Sequence, residues 1–185
     1  TPLPSPPSSR SCMDAFACER ASAATAPGKA ILFGEHSVVY GYTAVAACAS
    51  DLRVRAEVAP CRESGLHAAF ASVGGGAAAI SQSFSVEAMR AALEAGGGER
   101  GARRPKRPSA ALCAALTALI TVDDPTIVQA LVPLLYLSAS LLLRDGGAVR
   151  GGGSAGVRVT VRSEGLPIGA GLGSSAAVSV ATTAA

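Results

Sequence analysis

The segment with the clearest chemical potential is Pro167 to Ala177, PIGAGLGSSAA, in which glycines occupy alternate positions directly before two serines. Glycine has no Cβ, so a ligand can approach the backbone N–H groups of such a loop closely. The serines suit the start of the alanine-rich segment that follows, and the N-terminus of a helix attracts anions. The segment therefore predicts a loop that binds nucleotide phosphates. A glycine turn that only caps a helix is the structural alternative.

A second motif lies far upstream, where Ala26 to Gly41 reads APGKAILFGEHSVVYG. Lys29 enters a short apolar strand, and Glu35 and His36 leave it. Lys29 is one of only two lysines in a chain that otherwise uses arginine, and the two cations do not substitute freely at a phosphate. A strand with a solvated lysine and a Glu-His turn is the structural alternative. The two motifs together favour a phosphate site.

Other nucleotide-binding loops are excluded by context. A literal G-x-G-x-x-G occurs at Gly151, Gly153 and Gly156, but it precedes an expected strand instead of following one and opening a helix. The chain contains no G-x-x-x-x-G-K-[ST] phosphate loop. The expected nucleotide site therefore belongs to another class.

Composition excludes several classes of function. The net charge is +3 and aromatic residues make up 4% of the 185 residues, which argues against a nucleic-acid surface with stacking platforms. The five cysteines are odd in number and lack the close paired spacing of a zinc site or redox motif. We expect free thiols in a reducing compartment, and a cytoplasmic location, with peroxisomal or plastid targeting left open.

The pattern of apolar residues predicts an α+β domain. Strict alternation of Val with Arg or Thr over Gly156 to Glu164 is typical of a half-buried strand in an antiparallel sheet. The other expected strands are Ala30 to Gly34, Leu52 to Val58 and Leu66 to Val73, and the expected helices are Phe84 to Glu94, Ala110 to Val122 and Thr126 to Leu143. A membrane span over the last helix is the alternative, which Gln129 and Pro133 weaken.

Two regions outside these elements lack the periodic spacing of apolar residues that predicts strands or helices. Residues 1–22 form a Pro/Ser-rich head, which we expect to be disordered or to act in targeting, and residues 23–185 form one domain. Within that domain, residues 96–108 read as a flexible basic Gly/Pro-rich loop. The chain begins with Thr1 and stops inside the expected final helix, so we expect it to be a portion of a longer protein.

The two motifs resemble the first two of the three signature motifs of the GHMP kinases, the family that includes the galactokinases, homoserine kinases and mevalonate kinases. Within that family the string APGKAILFGEHSVVYG is most similar to the mevalonate kinase branch. The resemblance implies the family's N-terminal domain, a two-layer sandwich like domain 2 of ribosomal protein S5, here truncated before the C-terminal domain. It implies ATP-dependent phosphorylation of the primary hydroxyl of mevalonate, with Mg²⁺.

The resemblance also implies roles for individual residues. The loop from Gly169 through Ala170, Gly171, Leu172 and Gly173 to Ser174 and Ser175 is expected to wrap the ATP phosphates, with Ser175 as an Mg²⁺ ligand. Lys29 is expected to be catalytic and to contact the phosphates, and Ser163 to lie near the nucleotide. Glu35 and His36 are expected on the substrate side.

The same resemblance places three features of the family after the helix that Ser174 and Ser175 open: an acidic Mg²⁺ ligand, the aspartate that acts as catalytic base, and the third motif. We therefore expect the chain to be inactive alone. Its expected partners are mevalonate and ATP, without nucleic acid or membrane, and a homodimer of the full-length protein stays open. A phosphomevalonate or homoserine kinase and a non-catalytic nucleotide-binding module are the alternative functions.

Overall fold

The computed structural model describes residues 21–71, 80–96, 108–143, 156–167 and 171–185, which form a sheet covered by helices. The strands within these ranges are β1 (Ser22–Phe33), β2 (Val45–Cys61), β3 (Leu66–Ala71), β4 (Ile80–Phe84) and β5 (Gly156–Glu164). The helices are α1 (Val86–Ala95), α2 (Ala110–Thr117), α3 (Pro125–Leu142) and α4 (Ser174–Ala184), and a short 3₁₀ turn spans Val38–Tyr40.

The sheet has the strand order β1-β2-β5-β3-β4. Neighbouring strands are antiparallel except β3 and β5, which run parallel with Leu66 opposite Val157. The expected α+β fold with mixed, mostly antiparallel strands is therefore confirmed. In this order β1 is an edge strand, so its outer edge can bind another segment of the chain.

Strand β5 shows why the sheet has one buried face. Val157, Val159 and Val161 are buried, whereas Arg158, between the first two valines, and Arg162, after the last, are exposed. Successive side chains of a strand point to opposite faces, so the valines reach the helix layer and the arginines form a charged outer face. The alternation in the sequence predicts this strand correctly.

The helices bury their apolar sides against the inner face of the sheet. Leu116, Leu131, Leu134 and Leu135 lie in one apolar cluster with the buried strand residues. Helix α4 adds three small or branched side chains to this cluster, Ala177, Val178 and Ala181. It packs against β1, β2 and α3. This packing sets where the N-terminus of α4 lies.

Serine caps fix the starts of two helices. The hydroxyl of Ser85 accepts a hydrogen bond from the N–H of Ala88 at 3.1 Å. The hydroxyl of Ser109 accepts one from Leu112 at 3.1 Å and donates to the carbonyl of Gly96 at 2.9 Å. Because Gly96 ends α1, the side chain of Ser109 joins the end of α1 to the start of α2.

Four elements differ from the sequence expectation, and the first is β1, which begins at Ser22 instead of the predicted Ala30. Strand β4 was not expected, since ISQSF alternates only weakly; Gln82 nonetheless anchors it, donating to the carbonyl of Leu119 at 2.7 Å and accepting from the N–H of Thr121 at 3.2 Å. These bonds accompany an irregular segment after Thr117, so α2 ends five residues earlier than the predicted Val122. Strand β2 is longer than expected and begins at Val45.

The far end of the β1–β2 hairpin extends beyond the helix layer. Both faces of the hairpin are exposed where β1 ends and β2 begins. The large apolar side chains exposed there are Leu32, Phe33, Val38, Val39, Tyr40, Tyr42 and Val45. This surface adjoins the turn that carries Glu35 and His36.

Some expectations fall outside the described residues. They are the head, apart from Ala21 and from Ser22, where β1 begins, and the basic loop, apart from its end residues Gly96 and Pro108. No helix in the described ranges, including α3, has both the length and the hydropathy that crossing a bilayer requires, so the alternative of a membrane span is not supported.

The hydroxyl of Thr182 is the one buried side-chain polar atom without a hydrogen-bond partner among the described residues. Burying a hydroxyl without a partner costs free energy, so Thr182→Val should raise the free energy of unfolding by about 1 kcal/mol. Denaturant unfolding measures the change. Thr183→Val is the matched control, because the Thr183 hydroxyl is exposed and donates to the Ser179 carbonyl at 2.8 Å. Equal effects of the two substitutions would contradict the prediction.

On the outer face, hydrogen bonds from Arg55 and then Arg162 hold the pKa of Glu57 below its ordinary value. The resulting stabilisation is present above the ordinary carboxyl pKa and is lost as pH falls through the lowered value. Arg55→Ala should therefore raise the pKa of Glu57, as an NMR titration of its carboxyl carbon would show. Arg158→Ala is the control, since Arg158 pairs with Glu63 instead. An unchanged Glu57 pKa in Arg55→Ala would refute this assignment.

Candidate functional site

A hydrogen bond joins the glycine loop to the edge strand. The backbone N–H of Lys29 in β1 donates to the carbonyl of Leu172 at 2.8 Å. Gly171 and Gly173, on either side of Leu172, have φ angles of 75° and 72°, in the left-handed region that glycine adopts at little cost. The loop therefore turns tightly at the edge of the sheet and delivers the chain into α4 at Ser174.

Gly28 makes this close approach feasible. A Cβ built at Gly28 would lie 2.6 Å from Cδ1 of Leu166 and 3.1 Å from the carbonyl oxygen of Leu172. Glycine inside a strand often marks the place where another backbone comes near. Gly28 was not among the site residues predicted from the sequence, because the expected strand began only at Ala30 and left Gly28 outside it.

The direction of the Leu172 peptide decides which groups face a ligand. Its carbonyl points at β1, because it accepts from Lys29. In a trans peptide the C=O and the following N–H point in opposite directions, so the N–H of Gly173 points away from β1. The bond to Lys29 therefore satisfies a loop carbonyl that would otherwise repel an anion.

The start of α4 adds further positive potential. The first intrahelical bond at this end runs from the N–H of Ala177 to the carbonyl of Gly173 at 3.0 Å. N–H groups earlier in the first turn have no partner within the helix, and they form the positive end of its dipole. The Ser174 side chain is buried, and the Ser175 side chain is exposed. Of these two serines, Ser175 is the one whose hydroxyl is open to a ligand.

The side chain of Lys29 lies beside this helix start. Its aliphatic carbons pass close to Gly173, with Cγ 2.8 Å and Cε 3.2 Å from an ideal Cβ built there. The residue is exposed, and within the described ranges its ammonium group makes no hydrogen bond or ion pair. A cation and a helix N-terminus thus converge without a described acid to neutralise them, which is the electrostatic arrangement of an anion site.

Ser163 has a structural partner. It lies in β5 opposite Val54, and its hydroxyl donates to the backbone carbonyl of Leu166. This bond supports the turn between β5 and the glycine loop. The expected contact of Ser163 with a nucleotide stays a prediction, as do those of Gly169 and Ala170, which lie outside the described residues.

Glu35 and His36 lie away from this cluster, in an exposed turn after β1. The turn is held by bonds to the carbonyl of Gly34 from the N–H of Val38 at 2.9 Å and the hydroxyl of Ser37 at 3.3 Å. The four residue steps from Lys29 to Phe33 span about 13 Å of extended strand. A ligand that touches both Lys29 and the Glu-His turn must therefore lie along the strand.

Metal ligands are sparse in the described ranges, where no group of three or more His, Cys, Asp or Glu side chains could hold an ion. The exposed hydroxyl of Ser175 fits the oxygen preference of Mg²⁺, which usually draws further ligands from phosphates and water. The described residues thus suit an ion that arrives with a phosphate ligand, and they do not form a metal cage of their own.

Comparison with known proteins agrees with this geometry. Residues 134–185, which hold the second half of α3 together with β5, the loop and α4, match the family model described as the GHMP kinases N terminal domain. The mevalonate kinase of Pyrococcus furiosus is 32% identical over 162 residues, which are 88% of this chain and 37% of that protein. Residues 134–185 therefore match the N-terminal domain of the GHMP kinase family, and the chain as a whole is similar to a mevalonate kinase.

Solved structures show the same fold as this chain. A crystal structure of a mevalonate kinase superposes with a TM-score of 0.54 at 20% identity, covering 88% of this chain and 38% of that one. The Methanococcus jannaschii mevalonate kinase gives 0.52 at 19% identity, covering 89% and 39%. The chain thus spans less than two fifths of each relative. The expected N-terminal-domain fold is confirmed.

The close approach at Gly28 generates a prediction. Gly28→Ala places a methyl group against Leu166 and the Leu172 carbonyl, so the loop should move off β1 and the free energy of unfolding should fall by about 1–3 kcal/mol. Denaturant unfolding checks the stability, and calorimetry checks that nucleotide binding weakens with it. An alanine that stabilises the protein, as it would through backbone entropy at an unobstructed site, would show that the loop does not lie against Gly28.

Proposed function

We propose that this chain forms the phosphate-binding part of a mevalonate kinase, which transfers the γ-phosphoryl group of ATP to the primary hydroxyl of mevalonate. One observation carries the proposal: the stem of Lys29 lies against the glycine loop at the N-terminus of α4, and its exposed ammonium group has no partner among the described residues. Similarity to the Pyrococcus furiosus protein, which carries that name, supports the choice of acceptor.

Phosphoryl transfer demands positioning and charge neutralisation more than covalent chemistry from the protein. In the proposed reaction the P–O bond that joins the γ-phosphoryl group to ADP breaks, and a new P–O bond forms to the hydroxyl of mevalonate. That hydroxyl gives its proton to the aspartate base that the family resemblance places after α4. ADP and 5-phosphomevalonate are the products. Among the described residues, the N–H groups at the start of α4 would bind the phosphate oxygens and Lys29 would stabilise the charge on the transferred group.

Two further residue roles belong to the proposal. Ser175 would offer its exposed hydroxyl to Mg²⁺, which when bound neutralises phosphate charge. Glu35 and His36 would contact mevalonate from the far end of β1, where an acceptor lying along the strand would reach them. The primary hydroxyl of mevalonate would then lie near Lys29, at the end of the acceptor away from the Glu-His turn, and would be phosphorylated there.

A substrate panel on the full-length gene product tests the acceptor. Mevalonate, phosphomevalonate, homoserine and galactose are each supplied with MgATP, and the phosphorylated product is identified by ³¹P NMR. We expect a kcat/KM for mevalonate that exceeds the others by at least tenfold. Preference for phosphomevalonate or homoserine would assign the protein to another branch of the family. Nucleotide binding without phosphorylation of any alcohol would make the chain a non-catalytic module.

Replacing Lys29 tests the catalytic role directly. Lys29→Met keeps an unbranched stem of similar shape but removes the charge, and loss of one electrostatic stabiliser typically lowers kcat by about 10²–10³-fold. Steady-state kinetics on the full-length enzyme measures it. Thermal stability should stay unchanged, because the side chain is exposed and unpaired among the described residues.

Arg158→Met is the matched control for Lys29→Met. It also removes an exposed cation, but on the outer face of the sheet, where Arg158 pairs with Glu63. We expect its kcat to equal that of the wild type. If both variants lose activity equally, or if Lys29→Met retains full kcat, the proposed role of Lys29 is wrong.

A further inference from the structure

The stem of Lys29 occupies the space that a side chain at residue 173 would need. An ideal Cβ at Gly173 would lie 2.8 Å from Cγ, 3.2 Å from Cε and 3.5 Å from Cδ of Lys29. A methyl group at the shortest of these distances overlaps the lysine carbon, so one of the two groups must move. The whole stem therefore runs along Gly173 with no room between them.

The backbone of Lys29 is fixed from the same side. Its N–H donates to the carbonyl of Leu172, the residue directly before Gly173. The ammonium nitrogen is one bond, about 1.5 Å, beyond Cε. Backbone and stem together thus hold the ammonium beside the first turn of α4, where the helix N–H groups also present positive charge.

We propose that Gly173 is a positioning residue for Lys29, because its missing side chain provides the channel in which the lysine stem crosses the start of α4. The inference rests on the proposed function, since it deepens the role given to Lys29 there. Gly173 thus has two structural roles. One is the left-handed backbone at φ 72°, and the other is the space for the lysine.

Other glycines of the chain allow the two roles to be separated by experiment. Gly171 has φ 75°, and no described atom beyond its chain neighbours lies within 4 Å of its ideal Cβ. Gly41 has φ 86° and is equally open in the described structure, but it ends the 3₁₀ turn far along the hairpin. Alanine at either position measures the backbone cost alone. The excess effect at Gly173 measures the contact with Lys29.

The first experiment compares Gly173→Ala, Gly171→Ala and Gly41→Ala in the full-length enzyme by thermal unfolding, each with and without Lys29→Ala. If the methyl group collides with the lysine stem, removing the stem restores at least half of the Tm that Gly173→Ala loses. Lys29→Ala should restore none of the Tm lost at Gly171 or Gly41. Absence of any recovery at Gly173 would overturn the proposal, and so would equal recovery at all three positions.

The second experiment measures turnover. Displacing a catalytic group by about an ångström can lower the rate by about 100-fold, so Gly173→Ala should lower kcat by at least that factor. In the Lys29→Ala background the same substitution should lower kcat by less than threefold, because no lysine remains to be displaced. An equally large loss with and without the lysine would show that Gly173 acts through the backbone alone and would overturn the proposal.

The third measurement separates failure of this inference from failure of the proposed function. The rate at which an amine-reactive acetylating reagent labels Lys29, read by mass spectrometry of the peptide, does not depend on activity. We expect Gly173→Ala to change this rate at least threefold and Gly171→Ala to leave it unchanged. If the wild-type enzyme phosphorylates no alcohol, the kinase proposal fails while this comparison still decides the inference. Identical rates in the two variants would overturn it.

Discussion

The hydrogen bond from the N–H of Lys29 to the carbonyl of Leu172 is the contact on which the candidate site depends. An edge strand presents unpaired backbone groups, and proteins usually cover them. Here the glycine loop covers part of the outer edge of β1 and at the same time gains a fixed position. The bond turns a loop carbonyl away from the side where an anion would bind. One interaction therefore protects the sheet edge and orients the loop.

Packing in the rest of the domain positions β1, which carries Lys29, and the loop, which carries Leu172. Ala177, Val178 and Ala181 bury α4 against β1, β2 and α3, so apolar packing fixes the helix whose start carries the positive potential. Gly28 and Gly173 leave space for the loop and for the lysine stem respectively. The charge of Lys29 therefore stays beside the start of α4, because apolar packing positions the helix and the hydrogen bond to Leu172 positions the strand.

Most strands and helices and the main site residues could be predicted from the sequence, and the features that could not have physical causes. The alternation of valine with polar residues in β5 and the continuous apolar run of α3 predicted those elements because each buries a defined face. Strand β4 carried too weak a pattern, since it is held by backbone pairing with β3 and by hydrogen bonds of the Gln82 side-chain amide to residues far along the chain. The sequence motifs also placed Lys29 and the loop in one site. They could not indicate that Gly173 accommodates the lysine stem, because that contact joins residues 144 positions apart in a spacing that only the fold defines.

A titration with MgATP followed by amide chemical shifts would show whether phosphate binds where Lys29 meets the start of α4. We expect the largest shifts at Lys29, Gly173 and Ser175, whose N–H groups lie at this junction. Small shifts are expected on the outer face, for instance at Arg55 and Arg158. Large shifts confined to the outer face or to the turn after β1, with the loop unchanged, would rule out a phosphate site at this junction.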